Sequence, residues 1–334
     1  MQFSLRAALL LVLVCLVALL PMVANDYYIG LTIKIMIYSL FALSLQLLVG
    51  GTGLVSLGHA AFFGISAYTA TLLSPESGAG NFFILLPCAI VASMIFAAIT
   101  GILSLRTKGV YFIMVTLAFA QMAYYIFHDT KIGGGTDGIY MYFRPEWRIG
   151  DTVLLDISKP YPFYLFTLAC LLLVWGFLAM LMRSRFGAAL TGIRVNEQRM
   201  RAAGYTTLGY KLVAYIIAGG LGGIAGVLYA VKDGFVNPEL LAWEQSGLVL
   251  LMVILGGTGR LWGAIVGAVA LTLLQELFQS EALLGDLATH WHLPFGLAII
   301  ALVALMPKGI TGLPEQLRAL RGKRAATPAA PARP

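Results

Sequence analysis

Five arginines and one glutamate lie close together in residues 183–205, RSRFGAALTGIRVNEQRMRAAGY, although only 11% of the 334 residues are charged. Guanidinium and carboxylate groups at this density bind other charged or polar groups, either within the chain or on a partner. This segment, which we call the island, is therefore the first candidate for a functional contact.

The island is predicted to be a single amphipathic helix over residues 186–204, at 100° per residue. Arg194, Gln198 and Arg201 then share one face. Glu197 falls on the apolar side, where it needs a cationic partner, and Arg194 or Arg201 at helical spacing would supply one. The helix suits a solvated loop, an anionic lipid surface or a groove on another protein. The apolar stripe consists of Phe186, Ala189, Leu190, Ile193, Met200 and Gly204.

Ionisable residues are scarce inside the apolar runs, where ion-coupled carriers usually keep them. Those present are Lys34, His59, His128 and Glu276, and all but His59 lie near the ends of runs. The phosphate-binding pattern G-x-x-x-x-G-K-[ST] is absent, so the chain does not hydrolyse ATP by that route. We find no cluster of acid, base and nucleophile and expect no covalent chemistry, no enzyme activity and no metal site.

Five uncharged or weakly basic polar residues are candidates for the lining of a translocation path. For each, the alternative is an interhelical hydrogen bond, and for His59 a bond to nearby backbone is favoured. These candidates are Gln46, Ser56, His59, Thr116 and Gln121.

Composition places these residues in a membrane. Apolar residues make up 60% of the chain and the mean hydropathy is +0.88, whereas a soluble chain carries roughly 25% charged residues. We predict an all-α fold, a polytopic transmembrane helical bundle with residues 1–313 as one domain. The eighth apolar run is short, which is typical of a broken or re-entrant element. About ten spans are expected, near 6–24, 28–49, 57–73, 82–104, 109–128, 161–182, 211–231, 245–257, 261–279 and 293–306.

The distribution of positive charge predicts the orientation. With a cytoplasmic N-terminus, 16 of the 22 basic residues lie on the cytoplasmic side, as the positive-inside rule requires. The island, at about 186–205, is then cytoplasmic and the long loop at about 129–160 is periplasmic. The basic tail 314–334 is expected to be disordered near the inner leaflet. Because the basic residues are dispersed between apolar runs, we expect no nucleic-acid partner. The first run could instead be a signal peptide, but its length favours a retained helix.

The tetrapeptide GGTG occurs at Gly50–Gly53 and at Gly256–Gly259, each time after an apolar run. Tight turns or helix breaks on the cytoplasmic side are the favoured interpretation, since glycine permits positive φ and close packing. Unwound backbone that binds a substrate within the membrane is the alternative.

Several motifs in one order resemble the high-affinity branched-chain amino-acid ABC permease family, and more narrowly its LivM-like branch. They include GGTGLVSLGHAAFFGISAYTATLL, GVYFIMVTLAFAQMAYYIFHD, the segment from GAALTGIRVNEQRMRAAGY to GGLGGIAGVLYA, and ILGGTGRLWGAIVGA. The resemblance implies a bacterial inner-membrane importer with two ATPase subunits, a second related permease and a periplasmic binding protein. It implies ATPase-coupling residues at Gly187, Ala189, Leu190, Ile193, Arg194, Asn196, Glu197 and Gly204, with Met200 of the stripe counted among them.

The expected function is therefore that of a permease subunit for branched-chain or related amino acids. It works by alternating access and has no cofactor of its own, because the partner subunits use ATP. We expect the apolar stripe of the island to enter a groove on the ATPase, with Glu197 and Arg194 fixing the register. Two alternatives stay open. One is a permease for urea or short-chain amides, which the same family includes; Gln121, where many relatives have glutamate, and the variable loop GGGTDGIY at 133–140 leave the substrate open. The other is a stand-alone ion-coupled secondary transporter.

Overall fold

The computed structural model describes residues 14–75, 77–149, 152–155, 159–280, 285, 290–306 and 308–313. The start of the first predicted run and the tail 314–334 lie outside these residues. Within the described residues, four short strands form two antiparallel pairs, β1 (Ile139–Tyr140) with β4 (Phe235–Val236), and β2 (Trp147–Ile149) with β3 (Thr152–Leu155). The helices are α1 (Asp26–Gln46), α2 (His59–Leu72), α3 (Phe82–Ser104), α4 (Val110–Asp129), α5 (Pro160–Arg183), α6 (Arg185–Val195), α7 (Glu197–Ala202), α8 (Thr207–Asp233), α9 (Trp243–Gly256), α10 (Leu261–Gln279) and α11 (His292–Leu305).

The predicted all-α membrane bundle is confirmed. In the described part of the chain, seven helical stretches are long and apolar enough to cross a membrane. Three of the ten expected spans are absent from this set: the first run, near 6–24, lies partly outside the described residues, and α2 and α9 have only 14 residues each. A helix of that length rises about 21 Å, less than the roughly 30 Å of hydrocarbon. The short eighth run was expected, whereas the short α2 was not. The seven stretches are Asp26–Thr52, Phe82–Ser104, Val110–Asp129, Pro160–Arg183, Thr207–Asp233, Leu261–Gln279 and His292–Gly312.

Helix α8 lies at the centre of the bundle, against α1, α2 and α3. Its glycines permit this close packing: a Cβ atom on Gly226 would lie 2.0 Å from the carbonyl oxygen of Phe63. Ser93 of α3 donates a hydrogen bond to the Gly219 carbonyl oxygen at 2.7 Å. Small residues and hydroxyl groups hold membrane helices together in this way, because lipid offers helices no hydrophobic drive to associate.

The connections sort onto two faces of the bundle. One, which we call the island face, carries the island and both GGTG turns, since Arg194 contacts Gly50 and Gln46 contacts Thr258. The other, which we call the opposite face, carries the pairing of β1 with β4, where Ile139 faces Val236. Which of the two faces is cytoplasmic stays a prediction.

Both GGTG segments are helix breaks, as favoured from the sequence. After α1 the helix continues as a π-helical stretch, Leu47–Thr52, and ends at Gly53 with φ +75°. Helix α9 ends at Gly257 with φ +107°. Residues 53–58 are not helical, so the chain has six residues of irregular backbone before α2 begins.

Candidate functional site

The island consists of two helices rather than the single helix predicted for residues 186–204. The break is at Asn196, whose backbone is extended (φ −158°, ψ 98°) between α6 and α7. The Asn196 side chain accepts a hydrogen bond from the backbone N–H of Arg199 at 2.9 Å, the geometry of an N-cap. This helix start could have been predicted from the sequence, because asparagine followed by glutamate is typical of a helix N-terminus.

The outer ends of the island are also capped. Ser184 accepts a hydrogen bond from the backbone N–H of Gly187 at the start of α6. Gly187 is itself buried, and a Cβ atom there would lie 2.4 Å from the Met182 carbonyl oxygen. At the end of α7, Gly204 has φ +88° and the Tyr205 N–H bonds to the Met200 carbonyl oxygen at 3.1 Å, which forms a Schellman motif.

The centre of the apolar stripe packs against the chain itself, whereas the entry of the stripe into a groove on the ATPase stays a prediction. Leu190 and Ile193 are 0% and 3% exposed, and Leu190 packs against Gly51 in the first GGTG turn. Met200 packs against Gly192 and so joins α7 to α6. The surface that the island presents outward is different: it contains arginines and Val195, whose side chain is 78% exposed.

Glu197 is the centre of a charged network that joins α7 to α8. Its carboxylate accepts hydrogen bonds from Arg201 Nη2 and from Lys211 Nζ, both at 2.6 Å, and from Thr207 Oγ1 at 3.1 Å. The expected partner Arg201 is confirmed, whereas Lys211 was not foreseen. Burial raises the pKa of Glu197, but the hydrogen bond and positive charge of Lys211, with the bonds from Thr207 and Arg201, outweigh it and lower the pKa to about 2. The carboxylate is therefore ionised at neutral pH.

Arg194 points to a different part of the bundle. Its Nη1 donates a hydrogen bond to the carbonyl oxygen of Gly50 at 2.6 Å. Gln46, one of the five path candidates, lies one turn earlier, is 2% exposed, and donates from Nε2 to the Thr258 carbonyl oxygen at 3.0 Å. These two hydrogen bonds connect the island to the first GGTG turn, and the first GGTG turn to the second.

Three other path candidates lie together around the irregular segment 53–58. Ser56, His59 and Thr116 are each 0% exposed within the chain. The Ser56 hydroxyl accepts from the Gly58 N–H at 3.1 Å, and the Thr116 hydroxyl accepts from the Leu57 N–H at 3.3 Å. These contacts stabilise the bend before α2; they lie within the irregular segment or join it to α4, and so are not hydrogen bonds between two helices. A role of these residues in a path stays a prediction.

The fifth candidate, Gln121, lies elsewhere. It is half-buried and faces a cavity of about 610 Å³ near the opposite face. The sequence analysis did not single out the residues that share this cavity with it. They are Tyr124, Glu239, Ala242, Trp243, Glu244 and Gln245.

Comparison with known proteins identifies the family. The family model described as the branched-chain amino acid transport system permease component matches residues 27–304. The chain belongs to this permease family. The LivM permease of Salmonella typhimurium is 30% identical over 309 residues, which is 87% of this chain and 71% of that protein. The LivM permease of Escherichia coli K12 is 29% identical over 90% of this chain and 74% of its own length. No solved structure matches significantly.

A second kind of permease is also similar. The LivH permease of Salmonella typhimurium is 21% identical over 83% of this chain and 92% of its own length. Membership of the permease family agrees with the apolar helices: the chain is a multi-pass membrane permease and not an enzyme. The island and the cavity are therefore parts of a transport protein.

Proposed function

We propose that the chain is the LivM-like permease subunit of a bacterial inner-membrane importer for branched-chain amino acids, and that cytoplasmic ATPase subunits drive it through the island. The observation that carries the proposal is the construction of the island. Two capped helices hold a fixed shape on the bundle, and their buried side bonds to α1 through Gly50 and to α8 through Lys211. Because the island is rigid and bonded to two spans, a movement of the ATPases that displaces the island also displaces α1 and α8.

The charge distribution supports a cytoplasmic island and cytoplasmic termini. Within the described residues, the island face carries the majority of the basic residues, and positively charged connections favour the cytoplasm. On this orientation the opposite face, with the loop of residues 129–160, meets the periplasm and receives substrate from a binding protein. ATP is bound by the partner subunits and not by this chain.

A second permease subunit completes the proposed assembly. The names of the relatives distinguish two kinds of permease, LivM and LivH, and this chain is similar to both. Such sequence similarity supports a pair of related subunits with the translocation path between them. Alternating access follows when the ATPases close: the island moves, α1 and α8 tilt with it, and the path opens to one side at a time.

The docking surface for the ATPase is the outward surface of the island, with Val195 at the exposed end of α6. We would reconstitute the chain with a second permease, ATPases and a binding protein of the same family from its source organism, and measure ATP-dependent leucine uptake. Val195→Asp is expected to lower ATPase retention and uptake roughly tenfold, because it places a charge in an apolar contact. Ile132→Asp, on an exposed residue of the opposite face, is the matched control and should retain both.

Two results would overturn the proposal. Leucine uptake by this chain alone under an ion gradient would indicate a secondary transporter. Uptake of urea or a short-chain amide in place of leucine by the assembled complex would assign the substrate to the other branch of the family.

A further inference from the structure

The cavity beside Gln121 lies between α4, the turn at Pro238–Leu241 and the start of α9. Its position is fixed by packing, since a Cβ atom on Gly64 of α2 would lie 2.3 Å from Leu241 Cγ. Gln121 is eight residues from the end of α4 at Asp129, about 12 Å along the helix axis. The cavity therefore extends from the opposite face into the bundle, and its volume of about 610 Å³ is in the usual range for small-molecule sites.

Two carboxylates face this cavity, those of Glu239 and Glu244. Within the described residues, neither lies within 4.0 Å of a cationic group. Glu239 accepts one hydrogen bond, from Asn237 Nδ2 at 3.0 Å, and Glu244 accepts none in the same part of the chain. Both residues are exposed, and two acidic side chains that line one cavity give it a negative potential, which favours a cationic ligand.

The remaining lining supplies the other features of a small-ligand site. In the described chain the side-chain amides of Gln121 and Gln245 make no internal hydrogen bond and so can bind a polar ligand. The rings of Tyr124 and Trp243 offer apolar surface and can also stabilise an ammonium group through their π faces. Carboxylates, amides and aromatic rings in one cavity fit a molecule with a cationic head and an aliphatic body.

We propose that this cavity receives the substrate amino acid on the periplasmic side. Glu239 and Glu244 bind its α-ammonium group, and Tyr124 and Trp243 contact its branched side chain. The inference rests on the proposed function and extends it by naming the substrate group that the chain recognises. It also favours amino acids over urea and amides, since an uncharged amide can donate hydrogen bonds to the two carboxylates but lacks the positive charge that attracts an ammonium group to them.

The test uses the assembled transporter in proteoliposomes with saturating binding protein. In the double variant Glu239→Gln/Glu244→Gln, kcat/KM for L-leucine is expected to fall roughly tenfold or more. Recovery of all subunits in the purified complex should stay at the wild-type value, which shows that the complex assembles. Asp137→Asn, an exposed acid on the same face but outside the cavity, is the matched control. The single variant Glu244→Gln provides the same test if the double variant assembles poorly.

Competition identifies the group that is bound. 3-Methylbutylamine, which has the ammonium group and the aliphatic body, should inhibit leucine uptake by the wild type and not by the double variant. 4-Methylpentanoate, which lacks the ammonium group, should inhibit neither. Wild-type kcat/KM in the double variant, or equal inhibition by the two compounds, would overturn the site and leave the proposed function intact. Absence of leucine uptake by the wild-type complex would instead overturn the proposed function.

Discussion

The guanidinium of Arg194 donates to the carbonyl oxygen of Gly50 at 2.6 Å, so a side chain of the island bonds to the backbone of the first GGTG turn, 144 residues earlier. The carbonyl is available because the helix ends there: the π-helical stretch after α1 stops within three residues. A charged donor on a backbone acceptor is stronger than a neutral hydrogen bond. The contact is therefore well suited to move α1 when the island moves.

Replacing Arg194 by leucine is expected to uncouple ATP hydrolysis from transport. The island keeps its attachment to α8 through Glu197 and Lys211, so the ATPases should still bind and hydrolyse ATP, but α1 no longer follows. We expect leucine transported per ATP to fall by about tenfold, because a charge-assisted hydrogen bond contributes about 1.5–3 kcal/mol. Arg199→Leu, at an exposed position of α7, is the matched control and should keep its coupling ratio. Loss of coupling in both variants would show that total charge, rather than the bond to Gly50, is responsible.

A substitution at Gln46 can show whether this residue connects the two GGTG turns or lines the translocation path. Its Nε2 bonds to the Thr258 carbonyl oxygen at 3.0 Å, and the packing is tight, since a Cβ atom on Gly50 would lie 2.9 Å from the same oxygen. Gln46→Leu keeps the volume and removes the donor. If Gln46 transmits movement between the turns, kcat for leucine uptake falls severalfold and KM stays unchanged. A raised KM with unchanged kcat would place Gln46 in the path, as predicted from the sequence.

The positions of the apolar runs could be predicted from the sequence because hydrophobicity and length determine which helices cross a membrane. The short length of α2 could not be predicted, since it depends on where the irregular backbone of residues 53–58 ends and not on the apolar residues that follow. The partners of Glu197 show the same limit. Arg201 follows from helical spacing, whereas Lys211, fourteen residues away, is brought near only because the chain reverses at Gly204.

The cavity residues escaped the sequence analysis for a related reason. Glu239 and Glu244 lie near predicted span ends, where a charged residue is ordinarily solvated and does not by itself indicate a binding site. Their proximity to Gln121 depends on how the turn at Pro238–Leu241 packs against α2 and α4. The break at Asn196 is a different case, because its capping signal was present in the sequence and the amphipathic pattern masked it.

The Glu197 network should give the stability of the island a defined pH dependence. The folded pKa, about 2, is below the ordinary value of 4.5, so ionisation of Glu197 stabilises the folded chain above pH 4.5. That contribution is lost as the pH falls from 4.5 to 2. Wild-type chain in detergent should therefore have a higher Tm than Glu197→Gln at neutral pH, and the difference should shrink over this range. Lys211→Met removes the main partner of Glu197, so the difference in Tm between this variant and wild type should also shrink as the pH falls. A constant Tm difference from pH 7 to pH 2 would contradict the role of the charge.

The close approach of α8 to α2 should make Gly226 intolerant of any side chain. A Cβ atom there would lie 2.0 Å from the Phe63 carbonyl oxygen and 2.2 Å from Ser66 Oγ, and backbone cannot yield as a flexible side chain does. Gly226→Ala is expected to lower the Tm of the purified chain by several degrees or to prevent its recovery from the membrane, since overpacking costs about 1–3 kcal/mol. Gly176→Ala in α5, where a Cβ atom meets nothing within 4 Å, is the matched control. It should leave the Tm unchanged or raise it, because alanine is about 1 kcal/mol better than glycine within a helix. Equal stability of the two variants would mean that α8 and α2 are further apart than the structure places them.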